Sequence, residues 1–152
     1  MLNSNEIDIL FDEVLEESTF LFADKVKKEE ISQYSHENFL ITYISFDGEV
    51  CGELFLLFSE ETAHEITMNM LGEDENNFSD FEVKDAVKEF ANMLCGKIVL
   101  KEFGKEKEFD ISIPIINEAP HEIYKRLIED EKTRFYMIDE RPALFNIGIV
   151  KT

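Results

Sequence analysis

The apolar residues of this chain change their period twice, and that pattern limits the fold more than any other feature. From about Asn5 to Lys28, residues Ile7, Leu10, Phe11, Val14, Leu15, Ser18, Leu21, Phe22 and Val26 recur at steps of three and four, the spacing of one apolar helix stripe. Ser4 is placed to cap the start, and Lys25, Lys27 and Lys28 suit the negative end of the helix dipole. From Phe39 to Phe46 the period shortens to two. Asp47-Gly48 is a two-residue hairpin signal, and Glu49 to Phe58 is the returning strand. Ser59-Glu60-Glu61 then opens a short helix that closes at Gly72. Ser79-Asp80-Phe81-Glu82 reads as a capping box that launches a second long helix, Glu82 to about Phe103.

Beyond it, Phe109 to Ile116 reads as an Ile-rich strand ended by a turn at Asn117 to Pro120. His121 to Glu131 fits a short helix started by Pro120 or an edge strand equally well. Thr133 to Ile138 and Ala143 to Val150 form the last two strands, around Glu140-Arg141-Pro142. No repeat or linker divides residues 1–152. The expected class is α+β (α/β) in one domain: two long helices packed on a largely antiparallel sheet of five or six strands.

Composition narrows the function. Thirty-four acids against 15 bases leave a net charge of −19. Such a surface cannot displace counterions from nucleic-acid phosphates, and no Lys/Arg cluster exists to hold an anionic membrane. Yet 44% of residues are hydrophobic and 14 are Phe, enough for a packed core rather than a disordered acidic tail. The start, Met1 to Glu6, has no basic region ahead of an apolar one, and the longest apolar run, Leu54 to Phe58, is strand-sized. A cytoplasmic protein is expected, with Cys51 and Cys95, which form no CxxC pair, as thiols.

The common catalytic templates are missing. There is no phosphate-binding glycine loop and no nucleophile elbow, and His36, His64 and His121 lie in three separate segments, so no metal site is expected. The acidic loop Glu73 to Asp80 fails the calcium-loop pattern, with no glycine at the sixth position and Phe78 at a ligand position. The second long helix is different. On a wheel of about 100° per residue, Val83, Val87, Phe90, Leu94 and Ile98 face the core, and Asp85, Glu89, Asn92, Met93 and Gly96 face away. Glu89 and Asn92 are neighbours on that outer face. Met93 stands there among polar neighbours, and Gly96 costs roughly 1 kcal/mol of helix propensity. Such a face suits close approach by another protein. From wheel position alone, ordinary solvent-facing residues explain Glu89 and Asn92 at least as well.

The stretch Glu89-Phe90-Ala91-Asn92-Met93-Leu94-Cys95-Gly96 resembles the E-x-x-N-x-x-x-G helix of the CheC/CheX/FliY family of response-regulator phosphatases, especially its CheX branch. The order around it is also similar: the Asp47-Gly48 hairpin, the Gly52-Glu53-Leu54 strand, the helix ending Met70-Leu71-Gly72, and Asp110-Ile111-Ser112-Ile113-Pro114 after the active helix. The resemblance spans roughly residues 38 to 116 and implies a CheC/CheX-like fold. It implies hydrolysis of the aspartyl phosphate on a phosphorylated CheY-like receiver, with Asn92 and Glu89 catalytic and Asp85, Met93 and Gly96 meeting the partner. It implies no cofactor of the chain's own, Mg²⁺ being carried by the receiver, and a homodimer. Many relatives follow the glycine with Asn where this chain has Lys97, about 80° round from Glu89 at the edge of the face. Two-site relatives carry a second E-x-x-N in the first long helix. Here Asp12, Glu13, Glu16 and Glu17 are followed three residues on by Leu15, Glu16, Thr19 and Phe20, so one site per chain is implied. The alternatives are a non-catalytic receiver-binding or flagellar-switch-type module and, more weakly, a self-associating structural subunit.

Overall fold

The computed structural model describes residues 3–34, 37–72 and 77–151; His36 and the first half of the acidic 73–80 loop, residues 73–76, lie outside them. Helix α1 (Ser4–Thr19) is followed by a two-residue strand β1 (Asp24–Lys25) and a short helix α2 (Lys28–Ile31). The hairpin β2 (Phe39–Asp47) and β3 (Val50–Ser59) leads to α3 (Glu60–Leu71) and the long α4 (Asp80–Phe103). Strands β4 (Asp110–Ile111) and β5 (Ile115–Ala119), helix α5 (His121–Glu129) and the hairpin β6 (Thr133–Ile138) and β7 (Arg141–Lys151) complete the order. All pairings are antiparallel in one seven-stranded sheet, β1-β6-β7-β3-β2-β4, with β5 also on β2. The two-residue strands β1 and β4 raise the strand number above the five or six expected.

The first helix is shorter than its apolar period predicts. Ser18 and Thr19 turn their hydroxyls back onto the Val14 and Leu15 carbonyls, both at 2.6 Å, a side-chain bond that competes with helix continuation. Phe20 then takes a left-handed backbone (φ 60°), and its N–H closes on the Glu16 carbonyl. Leu21 drops into the core, while the chain onward pairs Asp24 and Lys25 with Met137 and Tyr136. Three- and four-residue spacing thus persists through a segment that is not helical. At the other end Asn3, not Ser4, is the cap, accepting from the Glu6 N–H at 2.9 Å.

The hairpin turn also departs from its signal. Phe46 pairs with Gly52, so five residues separate these partners where a two-residue Asp47-Gly48 turn would leave two, and Gly48 has no positive φ. A Cβ there would lie 2.6 Å from the Phe109 ring; close approach, not turn geometry, calls for the glycine. The 109–116 strand is split around Ile113 and buried Pro114, which has no N–H to donate. Ser112 bridges the break, its N–H donating to the Ser45 carbonyl and its Oγ accepting from the Ser45 N–H, both at 2.9 Å. The turn expected at 117–120 is strand, since Asn117 to Ala119 pair with Ile41 to Phe39. The ambiguous stretch after Pro120 is helix, burying Tyr124 and Ile128.

Helices α1, α3 and α4 cover one face of the sheet. Phe11 stacks on Tyr136 (4.4 Å) and Phe145 (5.5 Å) and meets Phe90 edge-on (6.1 Å), which in turn packs on Phe58 (5.6 Å). These rings fix both long helices against β3, β6 and β7. A smaller cluster on the opposite face joins Ile31, Phe39, Leu57, Tyr124, Ile128 and Leu144, and the Tyr124 hydroxyl donates to the Ile31 carbonyl. Cys51 is half-buried and Cys95 buried on different elements. Burial pushes the Cys95 thiol up to about 11, which keeps it protonated and unreactive.

Candidate phosphatase site

The site helix gets its register from its first turn. Ser79 Oγ accepts from the Glu82 N–H at 3.1 Å, and the Glu82 carboxylate accepts from the Ser79 N–H at 3.2 Å, a reciprocal cap. From there α4 runs unbroken to Phe103. Val83, Val87, Phe90, Leu94 and Ile98 are all buried, and Ala86, Ala91, Cys95 and Val99 widen the buried stripe. Asp85, Glu89 and Asn92 are therefore turned outward and exposed.

Glu89 and Asn92 are one helical turn apart. Among the described residues neither side chain makes a hydrogen bond or ion pair. Carboxylate and carboxamide are both left with their full acceptor and donor capacity toward solvent.

Met93 and Gly96 are half-buried rather than fully outward. Met93 packs in part against the main core, a correction to its reading as a residue facing away among polar neighbours. Asn92, Met93 and Gly96 line one groove of about 340 Å³ with Val14, Glu17 and Ser18 of α1 and Lys97 and Leu100 of α4. Asp85 and Glu89 stand on the helix outside that lining. A Cβ on Gly96 would meet nothing within 4 Å, so no neighbour inside the fold requires a glycine there. Lys97 reaches across the groove, its ammonium 3.7 Å from the Glu17 carboxylate. Glu17, Ser18 and Leu100 were not legible as part of this surface, because only the antiparallel packing of α1 on α4 brings them to it. Among the described residues no group of three or more His, Cys, Asp or Glu is gathered as metal ligands, and no helix is long and apolar enough to cross a membrane.

Residues 40–132, well over half of the chain and including the whole Glu89 to Gly96 stretch, match the family described as chemotaxis phosphatase CheX. The chain belongs to the CheX family. It is 32% identical over 90 residues to the CheY-P phosphatase CheX of Thermotoga maritima, 59% of this chain and 58% of that protein; the chain thus matches less than two thirds of that relative's length. The fold is shared with solved CheX structures. The chemotaxis protein CheX of Vibrio vulnificus aligns with a TM-score of 0.67 at 24% identity, over 96% of this chain and 95% of that one. The CheX–CheY–BeF₃–Mg²⁺ complex from Borrelia burgdorferi aligns with a TM-score of 0.63 at 19% identity, over 99% of both chains. The CheX-family assignment agrees with the α+β class expected from the periodicity.

Proposed function

We propose that this chain is a phosphatase that docks on a phosphorylated CheY-like receiver and speeds hydrolysis of its aspartyl phosphate. The observation that carries the reading is the pair Glu89 and Asn92: one turn apart, exposed, and without partners inside the described fold. Membership of the CheX family supports it, as does the name of the Thermotoga relative, a CheY-P phosphatase.

The chemistry follows from what such a receiver lacks. Phosphoryl transfer passes through a loose transition state in which charge spreads over the phosphoryl oxygens, so positioning outweighs proton abstraction. The receiver brings Mg²⁺ and its own lysine to neutralise that charge; this chain brings no cofactor. Asn92 accepts from a water through its carbonyl oxygen and aims it in line with the phosphorus. The water oxygen bonds to phosphorus as the aspartyl oxygen–phosphorus bond breaks, releasing inorganic phosphate and a free carboxylate. Glu89 pairs with the receiver's lysine, a charge-assisted bond that fixes the register of the two proteins. Asp85 and Met93 flank the contact, and Gly96 lets receiver loops reach the helix backbone.

On this reading the whole chain works as one domain with one site, in the cytoplasm, as a homodimer. The test is phosphate release from CheY-like receivers phosphorylated with a small-molecule donor in Mg²⁺, with and without the protein, beside its sedimentation. Faster release supports the phosphatase. Binding without faster release would move the chain to the class of receiver-binding modules.

A further inference from the structure

The site does not end at Asn92. Its groove shares Lys97 and Leu100 with a larger groove of about 650 Å³ that continues between α1 and α4 to Gly104. From Asn92 to Gly104 the helix rises about 18 Å at 1.5 Å per residue. The floor of this extension is apolar and open: Ile9 is 49% exposed and Leu100 45%, unusual for large aliphatic side chains facing each other across two packed helices. The α4 wall carries Lys97, Lys101 and Lys105, and the α1 wall carries Glu6 and Glu13. Lys97 is tied to Glu17, but Lys101 and Lys105 make no ion pair among the described residues.

In a chain of net charge −19, the overall field opposes an acidic partner, and a receiver's phosphorylated face is acidic by its chemistry. Lys101 and Lys105 offset Glu6 and Glu13 across the apolar floor, so the lining is locally neutral with its positive side along α4, in one continuous surface with Asn92, and this relieves the negative field where docking would need it. We propose that the α1–α4 groove is the second half of the receiver-docking surface. Its Ile9–Leu100 floor takes an apolar side chain, and Lys101 and Lys105 take carboxylates, from an acidic amphipathic segment of the receiver. The identity of this occupant rests on the phosphatase reading above.

The probe is the CheY-like receiver whose phosphate the protein releases fastest or, if none is released, the one it binds most tightly, loaded with beryllofluoride and Mg²⁺ for binding and phosphorylated for turnover. The double variant Lys101→Glu/Lys105→Glu should raise Kd and KM about tenfold or more while kcat stays within about twofold. Ile9→Gln should weaken binding in the same way and lose its salt dependence least, because it removes an apolar contact. Lys125→Glu, an exposed change of equal charge per site on α5 across the sheet, should leave both constants unmoved. Unchanged Kd in the double variant would overturn the groove, as would equal weakening by Lys125→Glu. An altered oligomeric state in the double variant would also overturn it, since a second copy would then be the occupant. The two readings fail separately. If the receiver binds and the lysine reversals weaken it but no phosphate is released, the groove stands and the phosphatase reading falls. If no loaded receiver binds at all, both fall.

Discussion

Asp8 on α1 and Asn92 on α4 are both polar residues on long helices, and the fold treats them in opposite ways. Asp8 is saturated. Its Oδ1 accepts from Arg134 Nε at 2.7 Å, from the Tyr136 hydroxyl at 2.6 Å and from Lys25 Nζ at 3.4 Å, and Arg134 also donates to Ser4. That cluster joins the start of α1 to β1, 17 residues on, and to β6, 126 residues on. Asn92, with Glu89 one turn before it, has no partner within the described residues. Polar groups that complete one another inside the fold hold it together. Polar groups left idle on a rigid helix remain available to something outside it.

The largest expected stability effect is on the saturated side. Asp8→Ala strands a mostly buried guanidinium and a buried tyrosine hydroxyl and should cost about 2–3 kcal/mol, by denaturant unfolding. Phosphatase turnover at saturating receiver should survive in the fraction that is folded. The same cluster carries a pH signature. Burial pushes the Asp8 carboxyl up, but the hydrogen bonds from Arg134 and Tyr136 and the charges of Arg134 and Lys25 outweigh it and hold it below its ordinary value. A depressed carboxyl contributes its stability above the unfolded pKa of about 3.9 and loses it as pH falls through the lower folded value. The difference in stability between wild type and Asp8→Asn should therefore be constant above about pH 5 and shrink below about pH 4. A difference independent of pH would show that Asp8 acts only as a neutral acceptor.

The idle side predicts a trade of opposite sign. Gly96→Ala adds a methyl that meets nothing within 4 Å, so it should stabilise the protein by about 0.5–1 kcal/mol through helix propensity. The same methyl should weaken receiver docking. A stabilised variant with wild-type docking would remove Gly96 from the partner surface. Smallest of all is the surface pair: Glu17→Ala should change stability by under about 0.5 kcal/mol, although it frees Lys97 above the groove.

These two regions also differ in how far the sequence disclosed them. The outer face of α4 was legible because Val83, Val87, Phe90, Leu94 and Ile98 keep one period without interruption, and the Ser79–Glu82 cap sets its phase. The α3 cap at Ser59 and the αL close at Gly72 were legible for the same local reasons, as were the strands of the hairpin but not its turn. The end of α1 was not. Leu21, Phe22 and Val26 continue a helical spacing in residues that are loop and strand, and the break is made by Ser18 and Thr19 hydroxyls returning to the backbone. The Asp8–Arg134 contact, 126 residues apart in sequence, and the groove between α1 and α4 exist only once the helices pack on the sheet. Local order could be read; what one element lends another could not.

On the proposed function, Asn92 is idle in the fold because it works on a partner's phosphate. The measurement that meets it head-on is the rate of phosphate release from a saturating phosphorylated receiver by Asn92→Ala, beside its unfolding free energy. Unfolding is expected within roughly ±0.5 kcal/mol of wild type, with near-unchanged receiver affinity and a fall in kcat of about a hundredfold, or about 2.7 kcal/mol of transition-state stabilisation. Release at the wild-type rate would contradict that role, and would leave the Glu89–Asn92 face as a docking surface without a catalytic amide.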